Sequence, residues 1–155
     1  MDRVDMREVD QIPWLDSHDY MDLIREKQLA GQIDKEEALA CTFFAEEGYL
    51  IIPELIDSDL LDQAWESYED FYQQNRGEFF ESAISEDPWP ERYLNTHNCV
   101  PEIEEILESS KLLHITDMIF GRKTRPFQTI TSHKGTEQPA HSDSIHMTTD
   151  PPGYL

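Results

Sequence analysis

His141 and Asp143 are the residues whose types and spacing point most directly to chemistry. They are separated by one residue, so in an extended strand both side chains leave the same face. One imidazole nitrogen and one carboxylate oxygen on a shared face are two thirds of the facial triad of non-haem Fe(II) oxygenases, an arrangement that leaves metal positions open for a cosubstrate and dioxygen. The third ligand is a second His. His146 is the nearest, but it stands three positions beyond Asp143, an odd offset that turns it to the opposite face if the strand continues. With a turn in between, His141, Asp143 and His146 would instead suit zinc in a small hydrolase, with water as the fourth ligand. Without it, His146 reads as a group behind the ligands or on the substrate side. Ser142 points away from the His141 face by the same alternation.

These ligands need elements that hold them, and the chain supplies helices first and strands last. Residues 1–16 read as an irregular lead-in anchored by Pro13 and Trp14, and residues 17–155 as one domain. Tyr20, Leu23 and Ile24 recur at helical spacing up to a stop at Gly31. A second helix is expected from Asp34 to Gly48, with Ala38, Leu39, Thr42, Phe43 and Ala45 as its apolar face. YLIIPEL, limited by Pro53, suits an edge strand. In IDSDLLDQAWESYEDFYQQN, Asp57 or Ser58 caps a helix whose stripe is Leu60, Leu61, Ala64, Trp65, Tyr68, Phe71 and Tyr72. Trp65 lies mid-stripe and is expected to be mostly buried.

Residues 75–98 read as loop, and Pro101 opens a helical stretch that breaks near Ser109 and Ser110 and closes at Gly121. Beyond Gly121 the residues turn to Thr, Ser, Phe and Ile with Gly and Pro as punctuation. FQTITS is expected to be a strand, KGTEQ a turn and PAHSD a second extended segment. The expected class is therefore α+β, with the sheet only begun.

Composition excludes several functions. The formal charge is −21, from 33 acidic and 12 basic residues, so a polyanion such as DNA or RNA is repelled. No run approaches the ~18 apolar residues of a membrane span, and the acidic start is unlike a secretory signal. A cytoplasmic location is the expectation. Cys41 and Cys99 lack the spacing of a zinc or redox motif and read as small apolar residues. His18, His97, His114 and His133 read as surface or packing residues, and Arg122, Lys123 and Arg125 as loop charges.

Two blocks carry a resemblance. FFAEEGYLIIPELIDSDLLDQAWE resembles the opening helix, strand and following helix of the phytanoyl-CoA dioxygenase family, and QPAHSDSIHMTTDPPGYL resembles that family's iron-binding stretch. The resemblance spans roughly residues 38–155. It implies an oxidoreductase, a non-haem Fe(II)/2-oxoglutarate-dependent dioxygenase that hydroxylates a small organic or lipid-like substrate with dioxygen. It also implies a double-stranded β-helix (a jelly-roll, cupin-like fold) with His141 and Asp143 as metal ligands and no catalytic side chain beyond them. Gln128 and Gln138 become candidates for contacts near the cosubstrate. The family also supplies a second His and a carboxylate-binding Arg from later strands. Neither is found in these residues, so the β-helix is expected to be incomplete here and the chain by itself inactive. A different class of reading is a non-catalytic acidic interaction module that docks through the helix at 58–74.

Overall fold

The computed structural model describes residues 13–75, 92–133 and Ala140. Five α-helices and two short strands lie in these residues: α1 Tyr20–Leu29, α2 Lys35–Glu47, α3 Ser58–Asn75, β1 Arg92–Leu94, α4 Pro101–Leu107, α5 Ser110–Phe120 and β2 Ile130–Ser132. Short 3-10 turns cover Trp14–Asp16 and Thr96–Asn98. The described chain is thus helix-rich with a two-stranded antiparallel sheet, an α+β arrangement. No helix among the described residues is long and apolar enough to cross a membrane. The chain divides into two compact units.

The first unit comprises the described residues up to Ile52 together with His114–Thr124. Asp34 starts α2 with a capping box: its carboxylate accepts from the Glu37 N–H at 2.8 Å, and the Glu37 carboxylate accepts from the Asp34 N–H at 2.8 Å. Two N–H groups that the helix leaves unpaired are thereby satisfied. Gly48 ends α2 in the left-handed region at φ 78°, where a side chain is disfavoured. The core is Leu15, Ile24, Ile33, Ala38, Cys41 and Met118, with Trp14, Phe44, Ile115 and Ile119 packed on it. Each larger apolar side chain buried here stabilises by about 1.5–3 kcal/mol.

The face of α2 differs from the sequence expectation. Ala38 and Cys41 are its buried residues, whereas Leu39 and Phe43 are exposed. The apolar set around this helix is wide enough that periodicity fixes its type and leaves its rotation to be decided by packing against α1 and the 3-10 turn. YLIIPEL forms no strand. Pro53 has no N–H for a ladder, and Glu54 at φ 56° turns the chain.

The second unit comprises the described residues of Pro53–Leu113 and Arg125–Pro139. Asp57 Oδ1 caps α3 by accepting from the N–H groups of Asp59 at 2.9 Å and Leu60 at 3.3 Å. Ala64, Tyr68 and Tyr72 are the buried residues of α3, one turn apart along a single stripe. Trp65 is 49% exposed, so it edges the stripe rather than lying at its centre. Pro101 opens α4 at a first-turn position where its missing N–H costs nothing. β1 pairs with β2 in the register Arg92↔Ser132, Tyr93↔Thr131 and Leu94↔Ile130. This strand falls in the stretch expected to be loop; three residues are too few for period-two alternation to stand out. FQTITS is strand only over Ile130–Ser132. The lead-in before Pro13, the KGTEQ turn and, apart from Ala140, the PAHSD segment lie outside the described residues.

Candidate functional site

His141 and Asp143, the two proposed metal ligands, lie outside the described residues, as do Gln138 and His146. Of the residues singled out by sequence, Gln128 is placed: it precedes β2 and is half-buried. No group of three or more metal-ligating side chains occurs among the described residues.

What the structure does place is the stretch that leads towards His141. Backbone and side chains fix residues 129–133 tightly within the second unit. Thr129 O accepts the Asn95 N–H at 2.7 Å, and Thr129 Oγ1 accepts the His97 N–H at 3.3 Å and lies 2.9 Å from His97 Nδ1. Thr131 Oγ1 is 2.8 Å from the hydroxyl of Thr96, a fully buried residue. The Tyr68 hydroxyl donates to Thr131 O at 3.4 Å. Thr129, Thr131 and His133 alternate onto one face, which is the packed face; Gln128, Ile130 and Ser132 share the other. Ile130 on that second face is 52% exposed.

His133, expected to be a surface or packing residue, packs against α3. Its Nε2 lies 2.6 Å from Glu69 Oε1. Its ring is 4.3 Å from the Tyr72 centroid, 5.4 Å from Tyr68 and 5.6 Å from Trp65. With Nε2–H donating to the carboxylate, the neutral ring carries its lone pair on Nδ1. Nδ1 is buried and has no hydrogen-bond partner among the described residues. A histidine at the end of a strand carries no local mark of such a setting, since its partners sit about 60 positions away on α3. The only sequence signal was the spacing of Trp65, Tyr68, Glu69 and Tyr72, which puts all four on neighbouring positions of one helix.

A second cluster lies wholly in the first unit. A cavity of about 210 Å³ is lined by Trp14, Lys27, Gln32, His114, Asp117 and Lys123, among others. The Lys27 ammonium sits 5.0 Å over the Trp14 ring, and the Trp14 indole N–H donates to Met118 O at 3.1 Å. Lys123 donates to Asp117 Oδ2 at 2.6 Å, while the Thr124 N–H and hydroxyl donate to Asp117 Oδ1 at 2.6 and 2.9 Å. The Lys123 hydrogen bond, followed by that of the Thr124 N–H, holds the Asp117 carboxyl down to about 2. His114 Nε2 lies 2.6 Å from Glu37 Oε1. Burial, reinforced by the Glu37 charge, pushes the Cys41 thiol up to about 11.

Set against family models, curated proteins and solved structures, the chain matches none of them.

Proposed function

We propose that this chain belongs to a non-haem Fe(II)/2-oxoglutarate-dependent dioxygenase resembling the phytanoyl-CoA dioxygenase family, a hydroxylase of a small organic or lipid-like substrate. The observation that carries this reading is the His141-Ser142-Asp143 spacing, placed in sequence soon after an antiparallel strand that follows five helices. The donor set fits the metal: a neutral imidazole nitrogen and a carboxylate oxygen suit Fe(II), and no soft thiolate lies near them in sequence. When bound, iron and 2-oxoglutarate supply the oxidative decarboxylation that drives hydroxylation of a C–H bond by dioxygen. The part of this chain is to hold the metal through His141 and Asp143 and to exclude water. On this reading β2 is an early strand of a double-stranded β-helix, and α3 is a helix packed against its outer side.

Two ligands alone hold a metal weakly, so the test must register weak binding. Anaerobic Fe(II) titrated into the 15N-labelled chain should broaden amide signals centred on residues 138–146. The His141→Ala/Asp143→Ala double variant should lose that broadening while its remaining spectrum is unchanged. Equal broadening in parent and double variant would remove the reading.

One observation favours the interaction-module reading. Leu61 and Trp65 stand one turn apart on α3 and are 46% and 49% exposed, which makes a small apolar surface patch. Absence of Fe(II) broadening in the parent chain, together with loss of a dimer or complex in Leu61→Ser, would move weight to that reading.

A further inference from the structure

We propose that the cavity of the first unit is a binding site for a small monovalent carboxylate, with Lys27 as its anchoring cation. This inference is independent of the His141 and Asp143 reading and concerns different residues.

The case starts from charge. In a chain of net charge −21, cations are expected to be matched by nearby carboxylates. Lys123 follows that expectation through Asp117. Lys27 does not: its ammonium makes a long hydrogen bond of 3.4 Å to Gln32 Oε1, lies over the Trp14 ring, and has no ion-pair partner among the described residues. The ring face attracts a cation by about 0.5–1 kcal/mol at an exposed site and does not use up its hydrogen-bond donors. Lys27 is therefore held facing a cavity with donor capacity to spare, since an ammonium has three protons to give.

The cavity wall supports the same conclusion. Trp14 is fixed by its hydrogen bond to Met118 O and by the approach of Gly121, where an added Cβ would lie 2.7 Å from Trp14 Cδ1. One wall is thus a rigid apolar ring edge, the usual complement of an organic carboxylate's hydrocarbon part. Size limits the ligand: 210 Å³ is below the roughly 300–1,000 Å³ of pockets for drug-sized molecules. A carboxylate with a short chain or a single ring fills it. Charge limits the ligand further. Asp117 stays ionised with its carboxyl held down to about 2, and the Glu37 carboxylate lies 2.6 Å from Nε2 of His114, another lining residue. Two carboxylates near the cavity disfavour a dianion, so a monocarboxylate is preferred over a phosphate.

The test is a titration of the 15N-labelled full chain with benzoate, acetate and inorganic phosphate at constant ionic strength. Benzoate should shift the Trp14 indole N–H and the amides of Gln32 and Gly121 along a saturable curve, more tightly than phosphate. Lys27→Met should weaken benzoate at least about tenfold, the loss expected on removing a charge-assisted hydrogen bond. Lys27→Arg should retain it. A parent chain with no saturable shift at these three groups overturns the proposal. So does equal binding by Lys27→Met, or phosphate bound more tightly than benzoate. If Lys27→Met fails to fold, Lys27→Gln carries the same expectation.

Discussion

Gly121→Ala tests the packing around Trp14 against pure backbone strain, because two other glycines serve as internal references. Gly31, Gly48 and Gly121 have φ of 68°, 78° and 67°, so each should resist a side chain by about 1–2 kcal/mol on conformation alone. Their surroundings differ. A Cβ at Gly31 or Gly48 meets nothing within 4 Å, whereas at Gly121 it meets Trp14 Cδ1 at 2.7 Å and Nε1 at 3.1 Å. Trp14 cannot simply swing aside, since its indole N–H is bonded to Met118 O. Overpacking of this kind costs about 1–3 kcal/mol. Gly121→Ala should therefore destabilise by about 2–5 kcal/mol, and Gly48→Ala by about 1–2 kcal/mol. Urea unfolding followed by circular dichroism measures both. Trp14→Ala in the Gly121→Ala background should relieve the clash, giving a double-mutant loss smaller than the sum of the singles. Equal losses for Gly121→Ala and Gly48→Ala, within about 0.5 kcal/mol, would refute the reasoning by showing that Trp14 yields freely.

Asp34→Ala removes one arm of the capping box and should cost about 0.5–2 kcal/mol, read by urea midpoint, with the loss of amide protection confined to the first turn of α2. At pH 8 a thiol reagent should modify the exposed Cys99 quickly and the buried Cys41 slowly, because burial pushes the Cys41 thiol up to about 11; two equally fast thiols would contradict the packing of the first unit. The Asp117 carboxyl is lowered on folding, from 3.8 to about 2, so its stabilising effect is complete above about pH 4 and is lost as the pH falls towards 2. Asp117→Asn should therefore flatten the acid limb of the stability profile there. His133→Ala deletes the Glu69 hydrogen bond and three ring contacts and should cost about 1–3 kcal/mol by urea unfolding.

Element type was legible where a punctuating residue coincided with a periodic run. Asp34 and Gly48 bracket α2, Asp57 caps α3, Pro101 opens α4, and Gly121 closes α5 with positive φ. Each of these marks acts on backbone within about three residues of itself, so sequence alone exposes it. Rotation was less legible. On α2, Ala38 and Cys41 face the core while Leu39 and Phe43 do not, and on α3 the buried line runs through Ala64, Tyr68 and Tyr72 with Trp65 at its edge. Apolar stripes on both helices are broader than one core face, and the neighbour that selects the face is remote in sequence. Strands fared worst for the same reason. β1 exists by pairing with β2, and YLIIPEL has β-forming residues but no ladder.

Candidate sites divide along the same line. The His141-Ser142-Asp143 dyad is local, so alternation alone relates its two side chains. His133 gains its setting from a helix about 60 positions upstream, and Lys27 shares a cavity wall with Lys123 and Asp117, about 90 positions away. Reading Lys123 as a loop charge was sound as far as exposure goes, for its side chain is 92% exposed. Its hydrogen bond, with those of the Thr124 N–H and hydroxyl, engages Asp117, the one carboxylate among the described residues that line the cavity with Lys27. The availability of Lys27 to an external anion therefore depends on an internal ion pair made by a different lysine. Lys123→Met should then weaken carboxylate binding indirectly, by freeing the Asp117 charge towards Lys27, and the loss should shrink in the Lys123→Met/Asp117→Asn double variant. A loss unchanged by the second substitution would mean that Lys123 contacts the anion itself.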